Sequence, residues 1–338
     1  MSDLEPQALA PAPETTSGAG VTAPAAAPAA APSTKGVRKH HYSLIGRGDK
    51  ILLAAMVGIP LFVFVVLIWL TALASIVLSF TNYDGFDPIK FVGLDNYIQL
   101  FTTYPFFWPA VIHNLMWLLF FICVATPMGI LLAVCLDRPL RGSRIYQSIF
   151  FTPVVLSLAV VGFIWQLQYS PIAGNGFIDS ALSGLGIMSP NATPDWLGDP
   201  SLNIWAVLVA ASWRHIGYVM VLYLAGLKSV DPSLREAAAI DGANERQTFF
   251  HVVFPVMAPI NSVIVVVTVI ESLRAFDIVY ILNKGKNGLE LLSTLITNSA
   301  LSEASLIGFG SAIAVVLLTV SLVPIVLYLS RVLRSEDQ

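Results

Sequence analysis

The chain has 338 residues, 56% of them hydrophobic and only 12% charged. So few charges cannot solvate an ordinary globular surface, which excludes a water-soluble domain of this size. The formal net charge of −3 identifies no partner, because the charges are segregated along the chain, and nothing in it points to nucleic acid.

Residues 1–34 are rich in Ala and Pro, carry Asp3, Glu5 and Glu14, and hold no aromatic ring to seed a core. They read as a disordered cytoplasmic tail, extended to about residue 48 by a basic end beside the membrane. No basic region precedes a short apolar stretch there, so a secretory signal is not expected.

A helix needs roughly 20 mostly apolar residues to cross the hydrocarbon layer. Six runs qualify, near 51–80, 110–136, 145–167, 203–226, 256–281 and 308–330. Runs this long and continuous suit helices, which satisfy their own backbone in lipid, rather than barrel strands. The class is an all-α polytopic membrane protein with six transmembrane helices, set in residues 49–338.

Pro60 falls inside the first run, where a membrane helix tolerates it. Residues 81–109 follow, dense in aromatic rings that favour the headgroup zone, and are expected to lie along the membrane surface. Cys123 and Cys135 share one helix twelve residues apart, about 18 Å at helical rise. That is too far for a mutual disulfide. A basic turn from Asp137 to Arg144 joins the second and third runs. Residues 168–202 form a loop without Lys or Arg. Its Asn191-Ala192-Thr193 sequon is common by chance and carries little weight.

Sorting loops by charge puts thirteen Lys and Arg residues on one side, among them Arg138, Arg235 and Arg246, against Lys90, Lys284 and Lys286 on the other. The positive-inside bias makes the first side cytoplasmic, with both termini on it.

The loop from Lys228 to Pro255 lies on that side and differs from the rest. Asp231-Pro232-Ser233 is a helix start, since Asp or Ser caps free amides and Pro is preset for the first turn. Leu234 to Ile240 favours helix, and Gly242 permits a sharp change of direction. Two short helices joined by a glycine elbow are expected, with an ordinary amphipathic connector as the plainer alternative.

Polar residues inside the runs are functional candidates, because unpaired charge in hydrocarbon costs roughly 2.5–3.5 kcal/mol even on insertion scales. Ser212, Trp213, Arg214, His215 and Tyr218 interrupt the fourth run; Thr268, Glu271, Ser272 and Arg274 interrupt the fifth. Arg214 lies about eleven residues past Asn203, hence ~16 Å deep. Hydroxyls and rings in such a set suit a sugar, and Arg214 and Glu271 can pair across the two helices. The plainer alternatives are a structural ion pair, a packing Trp213 and a satisfied core His215.

The motifs together carry a resemblance. Glu236-Ala237-Ala238, then Asp241-Gly242-Ala243, then Val252-Val253-Phe254-Pro255 resembles the signature loop of binding-protein-dependent ABC permeases. Phe91-Val92-Gly93-Leu94-Asp95-Asn96-Tyr97 is similar to a segment of the sugar permeases. Leu140-Arg141-Gly142, Thr152-Pro153, Phe276-Asp277-Ile278-Val279-Tyr280 and Gly308-Phe309-Gly310-Ser311-Ala312 follow in the family's order. The likeness covers residues 50 to 330 and is nearest the maltose-type, MalF-like subunit. Asn283-Lys284-Gly285-Lys286-Asn287-Gly288 departs from the family's glycine-rich turn and leaves the contacts of that rim open.

The resemblance implies a type I ABC importer (MetI-like) permease fold and import of a disaccharide or short oligosaccharide. Implied partners are a second permease in a heterodimer, two copies of a cytoplasmic ABC ATPase and an extracytoplasmic sugar-binding (lipo)protein, in a bacterial cytoplasmic membrane. It makes Glu236, Ala237, Ala238, Asp241, Gly242 and Ala243 the ATPase-coupling residues. It also places Ser212, Arg214, His215, Tyr218, Thr268 and Ser272 at the sugar site, with Ala275 replacing a polar residue. Glycerol phosphate, which Arg214 could meet, is the alternative substrate. A proton-coupled secondary transporter using Glu271 and a non-transporting scaffold are the rival classes. No phosphate loop is present, since Gly285-Lys286 lacks the upstream glycine. The His residues show no metal-ligand spacing and no nucleophile–base pair appears, so no cofactor, metal or catalysis is expected in this chain.

Overall fold

The computed structural model describes residues 46–138, 141–170, 176–189, 194–301 and 306–336. The tail to residue 45, Leu140 of the basic turn and the sequon Asn191-Ala192-Thr193 lie outside the described residues. The chain divides into two units, Met1–Gly58 and Ile59–Gln338. The described part of the first is helical and exposed along its length, with Ile51 and Met56 among its open apolar residues.

The described residues contain helices and one isolated antiparallel bridge, Thr81 to Phe91. Helix α1 (Gly48–Leu78) is apolar enough to span, as are α3 (Phe107–Asp137), α7 (Asn203–Ser229) and the Ile307–Val326 part of the last helix. Both α1 and α3 contain a π-helical turn, at Val65–Leu70 and Phe121–Ala125. Between α1 and α3, the short α2 (Asp95–Thr102) is docked by Asn96, whose Nδ2 donates to the Ser79 and Thr81 carbonyls at 2.8 Å.

The third and fifth apolar runs are not straight spans. The third is α4 (Ser143–Val155) and α5 (Leu158–Gln168), bent by 101°. Pro153 has no N–H to continue the helical ladder. Leu156 and Ser157 then turn extended, with ψ 142° and 148°, and the Ser157 hydroxyl caps the new helix at Val160 N, 3.3 Å. After α6 (Phe177–Gly184) comes α7, and beyond the elbow the fifth run bends by 77° between Glu245–Val256 and Ala258–Asn283. The bend falls at Met257 (φ −82°, ψ 11°), between Pro255 and Pro259. Among the described residues, counting each bent pair as one span gives the six expected.

Helix α7 is the hub. Of its most apolar window 61% is buried, against none of α1's and 28% of α3's. It packs on α3 and α4. At the α4 contact a Cβ on Gly217 would fall 2.3 Å from the Phe150 carbonyl oxygen, so only glycine allows the approach. The other elements are α8 (Pro232–Ile240), α9 (Glu245–Val256), α10 (Ala258–Leu273), α11 (Asp277–Asn283), α12 (Leu292–Ala300) and α13 (Ile307–Glu336). The rim turn after α11 holds Lys284, Gly285, Asn287 and Gly288 at positive φ. Asn203 Nδ2 ties it to the start of α7 by donating to the Asn287 carbonyl at 2.6 Å.

Candidate functional site

A cavity of about 140 Å³ lies among α3, α5, α7 and the junction of α10 with α11. The junction opens it. Helix α10 stops at Leu273, Phe276 leaves helical geometry (φ −138°, ψ −61°), and α11 restarts at Asp277. Irregular backbone at membrane depth is tolerated where it is buried or lines a water-filled space. Here the Arg274 amide still reaches the Ile270 carbonyl at 3.0 Å, and the Ala275 carbonyl accepts from the Ser293 hydroxyl.

Four of the sequence candidates line this cavity: Arg214, His215, Glu271 and Arg274. Arg214 Nη1 stands 3.8 Å from Glu271 Oε2, close enough to pair and too far for a hydrogen bond. Their side chains are 29% and 49% exposed, and Arg214 Nε is buried without a hydrogen-bond partner. Asp277 adds a second carboxylate, so the cavity's Arg and acid side chains balance formally.

His215 is held from behind. Its ring stacks on Phe121 at 4.5 Å and 7°. Its Nε2 lies 3.2 Å from Thr126 Oγ1 and 3.3 Å from Thr268 Oγ1, which are 3.2 Å apart. The Thr268 hydroxyl donates to the Ile264 carbonyl at 2.7 Å, so toward the other two it only accepts. The cluster ties α3, α7 and α10 together in the membrane layer.

The remaining substrate candidates sit elsewhere. Thr268 and Ser272 are buried behind the cavity, and Ser272 donates to the Thr268 carbonyl at 2.6 Å. Ser212 is buried and donates to the Val209 carbonyl at 2.8 Å. Trp213 points to a different groove, edge-on to Trp165. Tyr218 is half-buried one turn along α7 from Arg214 and is absent from the lining. The sequence reading missed Trp117, Phe121 and Thr126 of α3, and Leu158 and Asp277. Thr126-Pro127, a polar step within an apolar run, was the available signal for α3.

The elbow forms as its residues dictate. Asp231 caps α8 by accepting from Ser233 N at 2.9 Å. That bond, backed by the Ser233 hydroxyl, holds the Asp231 carboxyl below its ordinary value of 3.8. Gly242 turns the chain at φ +81°, and the Ala243 amide closes the helix end on the Ala238 carbonyl at 2.9 Å. Asn244 and Gln247 then form a reciprocal capping box that opens α9. Glu236, Ala237, Asp241 and Gly242 are exposed, Ala243 is half-buried, and Ala238 is buried against the protein. Ile240, at 86% exposure, is the elbow's most open apolar side chain.

Two ion pairs fix the elbow to the end of α3. Arg235 Nη1 donates to Asp137 Oδ2 at 2.9 Å, and Arg138 Nη2 donates to Glu245 Oε2 at 2.6 Å. These four residues surround a hollow of about 330 Å³ under the elbow. Sequence reading counted Arg138 and Arg235 only as markers of sidedness.

Residues 46–335 match the family described as binding-protein-dependent transport system inner membrane component. The probable ABC transporter permease protein YurN of Bacillus subtilis (strain 168) is 32% identical over 269 residues, 78% of this chain and 90% of its own. The arabinooligosaccharides transport system permease protein AraP of the same organism is 33% identical over 241 residues, 70% of this chain and 74% of its own. Among solved structures, a chain of a bacterial ABC transporter involved in the import of the acidic polysaccharide alginate superposes with a TM-score of 0.72. It is 22% identical, with 85% of this chain and 96% of that one covered, and so shows the fold alone. The chain belongs to the binding-protein-dependent transport system inner membrane components: it is a multi-pass ABC transporter permease, a transport subunit.

Proposed function

We propose that this permease forms half of the membrane pathway of an ATP-driven importer for a disaccharide or short oligosaccharide. The observation that carries the reading is the cavity between α7 and the broken fifth span, where Arg214, His215, Glu271 and Arg274 converge. Its donors, acceptors and the rings of Trp117 and Phe121 match the hydroxyls and apolar faces of a sugar. The relative named for arabinooligosaccharides and the alginate importer support a saccharide. Thr268 and Ser272 act as the supporting layer, and Ser212, Trp213 and Tyr218 lie on α7 outside the cavity lining, where they would meet the sugar only on its way in or out.

The elbow of residues 228–255 is the coupling loop. Glu236 offers an exposed carboxylate to a basic residue of the ATPase, Ala237 permits close approach, and Asp241, Gly242 and Ala243 shape the bend over buried Ala238. The partners are a second permease, two ATPase copies and an extracytoplasmic sugar-binding (lipo)protein. The elbow and both termini face the cytoplasm, and residues 1–48 are a cytoplasmic tail ahead of the permease domain 49–338. Glycerol phosphate is the second reading, favoured by the two arginines in the cavity.

Uptake of labelled sugars and of glycerol phosphate by cells expressing the complete system tests both. Saccharide uptake that stops on ATP depletion and in Glu236→Lys supports the first. Uptake that persists without ATP points to a proton-coupled carrier using Glu271 and overturns it.

A further inference from the structure

The rim turn after α11 holds two lysines that the transport reading leaves unused. Lys284 ends α11 at φ 59° and ψ 22°, in the left-handed region, and Asn287 follows at φ 57°. A helix end of this form ordinarily takes glycine, because a side chain there strains the backbone. Lysine at 284 therefore stands against the local preference. Gly285 beside it is required, since a Cβ would fall 2.6 Å from Thr294 Cβ.

The turn is braced from both sides. The Asn283 side chain accepts from the Gly285 amide at 3.0 Å and donates to the Lys286 carbonyl at 2.9 Å and to the Leu197 carbonyl at 3.3 Å. Asn203 Nδ2 holds the far end through the Asn287 carbonyl. Lys284 and Lys286 are exposed on this braced turn and enter no ion pair among the described residues.

The charges around them have the opposite sign. Segments 81–109 and 168–202, assigned to the same face, carry six Asp residues against Lys90 alone. The turn packs on the second of these segments at Leu197 and Pro200. The acids there are engaged locally. Asp195 accepts from the Gly198 amide at 2.8 Å, and Asp199 accepts from the Ser201 amide and hydroxyl at 2.8 Å. Both ammonium groups are left for a partner. Helix α11 leads to them from cavity-lining Asp277, about 9 Å of helical rise.

We propose that Lys284 and Lys286 form a cationic docking point for carboxylates on the surface of the extracytoplasmic binding protein. Two positive charges on an otherwise acidic face steer an acidic patch to one place and fix its register there. That place is the outer end of the helix that opens the cavity. The proposal rests on the sidedness and importer reading above.

The test uses the complete transporter in lipid nanodiscs with the binding protein of the same system, and measures their association rate at low and high salt. Lys284→Gly combined with Lys286→Gln is expected to lower the low-salt rate about tenfold and to flatten its salt dependence. Lys284→Gly relieves the backbone, so the melting temperature should hold or rise, which separates lost docking from misfolding. Lys284→Arg with Lys286→Arg should keep most of the rate. An unchanged rate and salt slope in the Lys284→Gly, Lys286→Gln protein overturns the docking point and leaves the importer reading standing. An unaltered transporter that binds no extracytoplasmic protein overturns both. Weaker retention of phosphatidylglycerol in the double variant, with association intact, assigns the lysines to lipid phosphate and overturns the docking point. A loss confined to binding protein loaded with an acidic saccharide assigns them to cargo and overturns it as well.

Discussion

Arg235 of the elbow helix donates to Asp137 at the end of α3 at 2.9 Å, joining residues 98 apart in the chain. The side chains are 39% and 17% exposed, so the bond is partly shielded from water. Arg235 also reaches the Leu227 carbonyl at 3.4 Å, so one guanidinium holds the ends of α3 and α7 to α8. If the elbow is the coupling loop proposed above, Asp137 and Leu227 are the points at which its movement would reach α3 and α7.

Asp137→Asn is expected to weaken the coupling of ATP hydrolysis to uptake, because only the more exposed Arg138–Glu245 pair then ties the elbow to the end of α3. Exchanging the charges, Asp137→Arg with Arg235→Asp, should recover part of the transport. The double-mutant coupling energy in thermal unfolding should fall between about 0.5 and 3 kcal/mol, as for residues in direct contact. Equal coupling ratios in Asp137→Asn and the unaltered protein would show that the pair transmits nothing.

Gly242 sits at φ +81°, and a Cβ built there meets no atom within 4 Å. Substitution costs backbone strain alone, about 1–2 kcal/mol. Gly242→Ala should therefore insert and fold with a modest loss of stability. Gly242→Asp should fold as well and lose uptake, because it adds a charged group to the proposed docking surface. Gel filtration and melting temperature separate this result from misfolding.

The Arg214–Glu271 pair is long and partly open, a setting in which ion pairs contribute about 0–1 kcal/mol. Glu271→Gln should leave the melting temperature nearly unchanged while reducing uptake. Exchanging the charges, Arg214→Glu with Glu271→Arg, should preserve assembly and abolish transport if the two groups meet substrate. Normal uptake by the exchanged protein would assign them a purely structural role.

The Thr126–His215–Thr268 cluster is buried, with Thr268 at 1% exposure and His215 at 5%. Removing one hydroxyl from such a set leaves a polar atom short of a partner, at about 1–3 kcal/mol. Thr126→Val should lower stability in detergent by that amount, and Thr126→Ser should recover most of it. Differential scanning of the purified chain measures both.

The cap on α8 carries a pH signature. Asp231 has its carboxyl held below the usual range by the Ser233 amide, so its contribution is full above its unfolded value and lost as pH falls through the lower folded one. Protection of the Ser233 amide against hydrogen exchange should be flat near neutrality and drop only in acid, below about 3.8. Asp231→Asn should keep the cap and remove the acid step.

The spans were readable because twenty consecutive apolar residues have few other uses. The bends were not. Proline in a membrane helix is tolerated or disruptive according to its neighbours: Pro60 lies inside α1, whereas Pro153 precedes a 101° turn. The elbow was readable since Asp231, Pro232 and Gly242 each act locally. Its ties to α3 were not, because Asp137 and Arg235 are brought together only by the fold. In the membrane layer, charge drew the eye to Arg214 and Glu271, where burial without function is unfavourable. Trp117 and Phe121 line the same cavity and were hidden, as apolar residues within an apolar run.

Helix α7, with most of its apolar window enclosed by neighbouring helices, carries both cavity-lining Arg214 and groove-lining Trp213. Segments wrapped in this way open last in native-state hydrogen exchange. Of the helices long enough to span singly, α7 is thus the one expected to exchange most slowly, while α5 starts at the Ser157 break and α10 stops at Arg274.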